Sequence, residues 1–166
     1  MVLMAIVGSL GSGKTLALTY LAYRNLMKGL KIYANYHLKF PHEYVSTVKQ
    51  LDKMKNGFFA GDELWSWLDS RVSTSKRNRA INKILLSSRK RGIHFAYTTQ
   101  SFNQTDIRIR KITDFIAIPY LNADNSWCRL VIYNNPTLDV LRAFKFRTAK
   151  YFNFYDTSEE VTMLEL

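Results

Sequence analysis

The sequence predicts an α/β domain of three layers built on a central, mainly parallel sheet. Three observations predict it. Short apolar runs alternate with stretches of helical period, a glycine-rich loop joins the first run to the first helix, and an acidic pair closes the third run. Alternation favours parallel pairing because each parallel neighbour needs a crossover connection.

In order, Met1–Val7 is a core strand that leads into the glycine loop. A helix from Thr15 to Lys28 follows, with Leu16, Leu18, Leu21, Ala22 and Leu26 apolar and Gly29 as its stop. Leu30–Tyr36 is a second strand, and a short helix spans Tyr44–Met54. Asn56-Gly57 turns the chain into a third strand, Phe58–Glu63, and Trp65, Trp67 and Leu68 continue in a helical turn as packing residues. Ser75–Lys90 reads as a basic helix closed by Gly92, and Ile93–Thr99 as a fourth strand. A loop or short helix through Asp106–Lys111 leads to a fifth strand, Phe115–Ile118. Period-two runs at Arg129–Tyr133 and Arg142–Phe146 form a C-terminal β-hairpin. The aromatic tail Tyr151–Tyr155 docks on the body, and Asp156 with Glu159 caps a last short helix.

The 166 residues, 47% of them apolar, suffice for one domain, 1–166, without linker or repeat. No stretch approaches the roughly twenty apolar residues of a membrane span, so no membrane anchor is expected. Cys128 is alone, which excludes a disulfide framework and a cysteine metal site and suits a reducing cytoplasm. His37, His42 and His94 show no ligand spacing.

The net charge of +11 is concentrated. Between Arg71 and Lys111 stand eleven basic residues and one acid, Asp106. Such a block is either a solvated face or a surface for a polyanion, since clustered Lys and Arg gain affinity by releasing counterions from phosphates. Lys76, Arg77, Arg79, Lys83, Lys90 and Arg91 are the candidate nucleic-acid contacts.

Gly8-Ser9-Leu10-Gly11-Ser12-Gly13-Lys14-Thr15 matches G-x-x-x-x-G-K-[ST], the P-loop pattern, between a predicted strand and a predicted helix. Gly8, Gly11, Ser12 and Gly13 would wrap phosphates with backbone N–H groups, and the helix start turns its positive end to the same anion. Lys14 would reach the β- and γ-phosphates of ATP, and the Thr15 hydroxyl would ligate Mg²⁺. Asp62 is placed to hold the Mg²⁺ shell, and Glu63 to take a proton from attacking water. Gln100, at the end of the fourth strand, can touch both γ-phosphate and water.

Those residues carry a resemblance. Arg89-Lys90-Arg91-Gly92-Ile93-His94, followed by Thr99-Gln100, resembles the last catalytic strand of the FtsK/HerA superfamily of DNA-pumping ATPases, with Asp62-Glu63 as its acidic pair and Gln100 as its sensor. Thr98–Phe102 with Asp106–Arg110, Tyr33–Leu38 and Phe154–Thr157 are similar to segments of small viral genome-packaging ATPases, those of archaeal and membrane-containing viruses. The resemblance implies a P-loop NTPase of the ASCE/RecA-like type with sheet order 5-1-4-3-2. It implies a ring, usually hexameric, with double-stranded DNA in the channel, ATP between subunits, and an arginine supplied by the neighbour. Arg89 occupies the family's arginine position; Arg91, Arg108 and Arg110 are alternatives, and each could contact DNA instead. A capsid or portal-vertex protein is the implied partner, and the host cytoplasm with transient stops at the capsid vertex the implied location. No counterpart of the β-barrel of HerA or of the winged helix of FtsK is expected from these residues. Zonula occludens toxin-like phage-extrusion proteins share the core but carry a membrane anchor, which argues against that branch.

The leading expectation is therefore an ATP-driven translocase of double-stranded DNA that packages a viral genome. Within the superfamily the alternative is a plasmid DNA-transfer or phage-extrusion ATPase. From other classes come a small-molecule P-loop kinase, which needs no base beside the Mg²⁺ acid, and a non-hydrolysing assembly protein. A GTPase is disfavoured because Asn82-Lys83-Ile84-Leu85 lacks the base-reading acid.

Overall fold

The computed structural model describes residues 2–64, 76–162 and 165. The expected helical turn at Trp65–Leu68 lies outside them. In chain order the elements are β1 (Leu3–Val7), α1 (Lys14–Leu26), β2 (Lys31–Ala34), β3 (Glu43–Tyr44), α2 (Val48–Lys53), β4 (Gly57–Gly61) and α3 (Lys76–Ser87). A 3₁₀ turn (Ser88–Arg91) then precedes β5 (Ile93–Thr99) and α4 (Ile107–Ile112). The chain continues through β6 (Phe115–Leu121), β7 (Trp127–Asn134) and β8 (Val140–Arg147) to α5 (Ala149–Phe152).

One eight-stranded sheet runs β3-β2-β4-β5-β1-β6-β7-β8. Pairing is parallel as far as β6 and antiparallel for β6-β7 and β7-β8. The five strands expected from sequence follow the implied order, and the difference lies in what surrounds them. Glu43–Tyr44 is a short edge strand beside β2 where a helix was expected to begin, and α2 starts only at Val48. Thr47 sets that start through a capping box: its hydroxyl accepts from Gln50 N–H at 3.1 Å while the Gln50 amide oxygen accepts from Thr47 N–H at 3.0 Å. The late hairpin is no separate appendage, because β7 and β8 extend the sheet beyond β6.

Alternate strand residues feed two cores. On one face Leu3, Ala5, Phe59, Phe95 and Tyr97 pack against α2, α3 and α4 through Leu51, Ile81, Leu85 and Ile109. On the other, Ile6, Ile32, Ala60, Ala96 and Ala117 meet α1, whose Leu16–Tyr20 stretch is continuously buried. Burial all round α1 comes from the sheet below and from β8 and the tail beside it. Tyr20 stacks on Phe146 with centroids 4.0 Å apart, and Tyr151 meets Tyr20 edge-on at 5.0 Å. The aromatic tail thus docks as its composition predicts. Its backbone is also fastened, with Lys39 N–H donating to Phe154 C=O at 2.7 Å. The helix expected after Asp156 does not form there: the Asp156 carboxylate instead accepts from Ser158 N–H and hydroxyl, at 2.9 and 2.7 Å, and closes a turn.

Because Leu18 is fully buried in this second core, Leu18→Ala should lower unfolding free energy by about 2–5 kcal/mol. Urea denaturation followed by circular dichroism measures it, and a loss under about 1 kcal/mol would contradict the packing described.

Candidate nucleotide and catalytic site

The P-loop leaves β1 at its C-terminal end, and Gly8 N–H is tethered to Thr99 C=O at 3.3 Å, so the loop starts beside the end of β5. At Gly13 the backbone takes φ +88, and a Cβ there would sit 3.0 Å from Leu121 Cγ. Only glycine satisfies both the left-handed turn and the close approach of β6. Gly13 also stands at the N-cap of α1 without a side-chain cap, so the first-turn N–H groups face the cleft without a side chain in the way. The Ser12 hydroxyl is buried without a partner. An orphaned donor, bare N–H groups and a lysine beside them fit a phosphate chain. Lys14 Nζ meanwhile donates to Ser9 C=O at 2.8 Å.

Asp62 follows β4 and is buried beneath the loop. One carboxylate oxygen accepts from Thr15 Oγ1 at 2.9 Å and the other from Thr98 Oγ1 at 2.7 Å. Its backbone is clamped by the Asn35 amide, which accepts from Asp62 N–H at 2.7 Å and donates to Asp62 C=O at 2.8 Å. Glu63 takes φ +51, a conformation that costs a non-glycine residue about 1 kcal/mol or more. The Thr98 hydroxyl, accepting from Glu63 N–H at 2.7 Å, holds it there. Thr98 therefore links both acids to β5.

Burial pushes the Asp62 carboxyl up, and outweighs the Thr98, Thr15 and backbone hydrogen bonds and the Lys14 charge that favour the anion. Burial also raises Glu63, aided by repulsion from Asp62 and opposed by Lys14. Burial lowers Lys14 against the pull of the same two acids. Asp62 thus carries a charge that the fold alone does not compensate, beside a hydroxyl, which is a hard-oxygen pair suited to Mg²⁺. Among the described residues no cluster of three or more acid, histidine or cysteine ligands exists. Mg²⁺ fits that pattern, because it is commonly held by one or two protein oxygens together with substrate phosphates and water.

The cleft, about 380 Å³, runs from Lys14, Thr15, Asp62 and Glu63 to Leu121, Asn125 and Phe152, with Tyr155, Asp156, Thr157 and Glu159 as its far wall. Among these lining residues Lys14 is the one cation. Gln100 is exposed one residue beyond β5, next to the Gly8 tether, and is not part of the lining. The structure therefore unites the loop, Thr15, Asp62 and Glu63, with Gln100 at the margin.

The sequence reading missed Asn35, Thr98, Asn125 and the acidic wall. Asn35 and Thr98 lie inside stretches already singled out, but an uncharged residue that grips a backbone leaves no spacing signature. Glu159 reaches the cleft because His37 holds it, with Nδ1 2.7 Å and N–H 3.0 Å from its carboxylate.

Among the described side chains no arginine lines the cleft. Arg91 Nη2 meets Asp52 at 2.5 Å, Arg108 makes two bonds to Asp106 at 3.0 and 2.7 Å, and Arg110 donates to Thr105 C=O at 3.0 Å. The side chains of Arg77 and Arg89 lie outside those described. Lys76, Arg79, Lys83 and Lys90 are exposed along α3 and its 3₁₀ extension. Arg79, Lys83, Lys90 and Arg108 line an open groove.

At the level of sequence, no family model and no curated protein matches the chain. Solved structures do. The N-terminal domain of zonular occludens toxin from Neisseria meningitidis superposes with TM-score 0.65 at 18% identity, over 94% of this chain and all of that domain. The genome packaging NTPase B204 of Sulfolobus turreted icosahedral virus 2, in complex with AMPPCP, gives 0.60 at 11% identity, over 85% of this chain and 95% of that one. The flagellar accessory protein FlaH of Methanocaldococcus jannaschii gives 0.53 at 13% identity, over 88% of this chain and 84% of that one. The fold is that of the P-loop NTPases. Within it the Gly8–Thr15 loop, the β4 acid and the β5 terminus occupy the carboxyl edge of the sheet, where open α/β folds bind ligands. The similarity to a zonular occludens toxin is to that protein's N-terminal domain. Among the described residues no helix is long and apolar enough to cross a membrane.

The raised Asp62 carboxyl gives a sign. A carboxyl whose folded pKa exceeds its unfolded one costs stability above the unfolded value, and neutralisation relieves that cost. Asp62→Asn should therefore unfold at higher urea than wild type at pH 7 without Mg²⁺, and should lose any stabilisation by Mg²⁺ with nucleotide. A less stable variant that still responds to Mg²⁺ would contradict the assignment.

Proposed function

We propose that the chain is an ATP hydrolase that translocates double-stranded DNA as a ring, in the manner of the FtsK/HerA superfamily, and that its task is packaging a viral genome. The observation that carries the hydrolase reading is the Thr98-held turn. It buries Asp62 against Thr15 and holds the next residue, Glu63, in the cleft. ATP is the substrate: the P-loop N–H groups, Ser12 and Lys14 bind its phosphates. Thr15 and Asp62 would hold Mg²⁺, which would neutralise negative charge on the phosphates. Glu63 accepts the proton of the attacking water, and Gln100 at the β5 terminus orients that water once the site closes.

Charge supports the ring reading. Phosphoryl transfer builds negative charge that an arginine relieves, and the described lining supplies only Lys14 against Asp62, Glu63, Asp156 and Glu159. The missing cation comes from a second copy. Arg89 keeps first place because Arg91, Arg108 and Arg110 are each held within their own chain. The exposed cations of α3 supply duplex contacts, and a capsid-vertex protein is the docking partner in this reading. The packaging task draws on the likeness to B204, a genome packaging NTPase.

A second reading within the same motor class is DNA extrusion, favoured by full coverage of the zonular occludens toxin domain. A small-molecule kinase is disfavoured by Glu63, since a carboxylate poised over water promotes hydrolysis, and by the lack of arginine in the described lining.

Glu63→Gln should keep ATP binding while turnover, measured by phosphate release with duplex DNA present, falls about 10²–10⁴-fold. In the wild type the base must be ionised, so kcat should fall as pH drops, with its acidic midpoint above the ordinary glutamate value of about 4.3. Unchanged turnover in the variant would remove Glu63 as the base.

A further inference from the structure

Beyond β6 the sheet has two different faces. Directly paired antiparallel residues share a face, and alternate residues along a strand return to it. One face of β6–β7–β8 carries Cys128, Leu130 and Phe146, which are buried against α1 and the tail. The opposite face belongs to the side covered elsewhere by α2, α3 and α4, as the Ala5–Ile116 pairing establishes. That helical layer does not reach its outer part. There Tyr120 pairs with Arg129 and Arg129 with Lys145, which forms one row across three strands, and Trp127 pairs with Arg147 in the next row. All five side chains are exposed, Tyr120 by 50% and Trp127 by 40%.

Two partly exposed aromatic rings side by side on a folded surface need an account. Tyr120, Trp127, Arg129 and Lys145, with Asn122, line an open slot of about 320 Å³. Arg147 lies over the Trp127 ring at 5.3 Å. No acid occurs among the residues that β6, β7 and β8 turn to this face. The nearest carboxylate along the chain, Asp124, is occupied by Asn122, Ser126 N–H and Ser126 hydroxyl at 2.5, 3.1 and 2.7 Å. That network also fixes the slot's rim, since Asn122 Oδ1 accepts from Trp127 N–H at 2.8 Å.

Three cations spaced by two aromatic faces match one chemistry. Phosphates pair with the cations, and flat bases stack on the rings. A duplex hides its base faces in its own stack and would leave Tyr120 and Trp127 unused. An acidic protein surface would satisfy the cations but has no specific use for two flanking aromatic faces. We propose that this face of β6–β7–β8 is a binding platform for an unpaired nucleic-acid strand. One base enters between Tyr120 and Trp127, while Arg129, Lys145 and Arg147 take the backbone. The platform is separate from the α3 cations, and it adjoins the nucleotide cleft through one turn. Leu121 and Asn125 line that cleft, while Tyr120, Asn122 and Trp127 line the slot.

The test is fluorescence anisotropy of a labelled oligo-dT and of a labelled hairpin duplex, at fixed low salt, on the full chain. The Tyr120→Ala/Trp127→Ala double variant should bind oligo-dT about tenfold or more weakly, since each stacked base contributes substantially to affinity. Its duplex affinity and duplex-stimulated phosphate release should stay at wild-type values. Tyr120→Phe/Trp127→Phe, which keeps both ring faces, should keep oligo-dT binding within a few-fold. Oligo-dT binding that is unchanged in the alanine variant overturns the proposal, as does an equal loss for both ligands. An altered molar mass of that variant by light scattering also overturns it, because the face would then belong to a neighbouring copy. Failure of duplex-stimulated turnover in the wild type would count against the translocase reading and leave the platform standing.

Discussion

The structure depends on one buried carboxylate. Asp62 is gripped by a hydroxyl from each side, Thr15 from α1 and Thr98 from β5, and its backbone is locked by Asn35 from the end of β2. The three strands concerned are adjacent or nearly so in the sheet, and α1 crosses above them. Sheet register, P-loop position and the buried Asp62 carboxylate are therefore fixed by one set of contacts. Burial raises the carboxyl, so the fold holds it at a cost, a pattern common where function and stability compete. A divalent cation bound between Thr15 and Asp62 would relieve that cost, which ties nucleotide binding to the rigidity of the whole edge.

The parts added to the core act on the same edge. β7 and β8 widen the sheet and bury the far side of α1 through Phe146 and Leu130. The tail crosses that surface, pairs with the segment after β2, and presents Tyr155 to Glu159 as the far wall of the cleft. The cleft is thus closed on its acidic side and short of positive charge. Among its described lining residues Lys14 is the one cation, and in the proposed reading the balancing positive charge comes from a second copy.

Much of this was legible in the sequence for identifiable reasons. The P-loop declares itself because phosphate wrapping needs glycines at Gly8, Gly11 and Gly13, and the Lys14-Thr15 pair after them. Period and punctuation located the five parallel strands, and resemblance supplied their order. Edges were harder. Glu43–Tyr44 is a strand only because β2 offers an unpaired edge, a tertiary fact invisible to local pattern. Asp156 favours a cap by type, yet Ser158 two residues on offers donors for a turn. Thr98 and Asn35 were hidden because short neutral side chains act here through geometry rather than charge.

The central claim is that each nucleotide site is shared between two copies of the chain. Mixing Lys14→Ala subunits with Arg89→Ala subunits tests it most directly. Each variant alone should be inactive in ATP hydrolysis, the first lacking its phosphate lysine and the second the arginine it lends. Mixed rings pair an intact loop with an intact arginine at some interfaces, so phosphate release should reappear in the mixture. A mixture no more active than its two components would contradict the shared site.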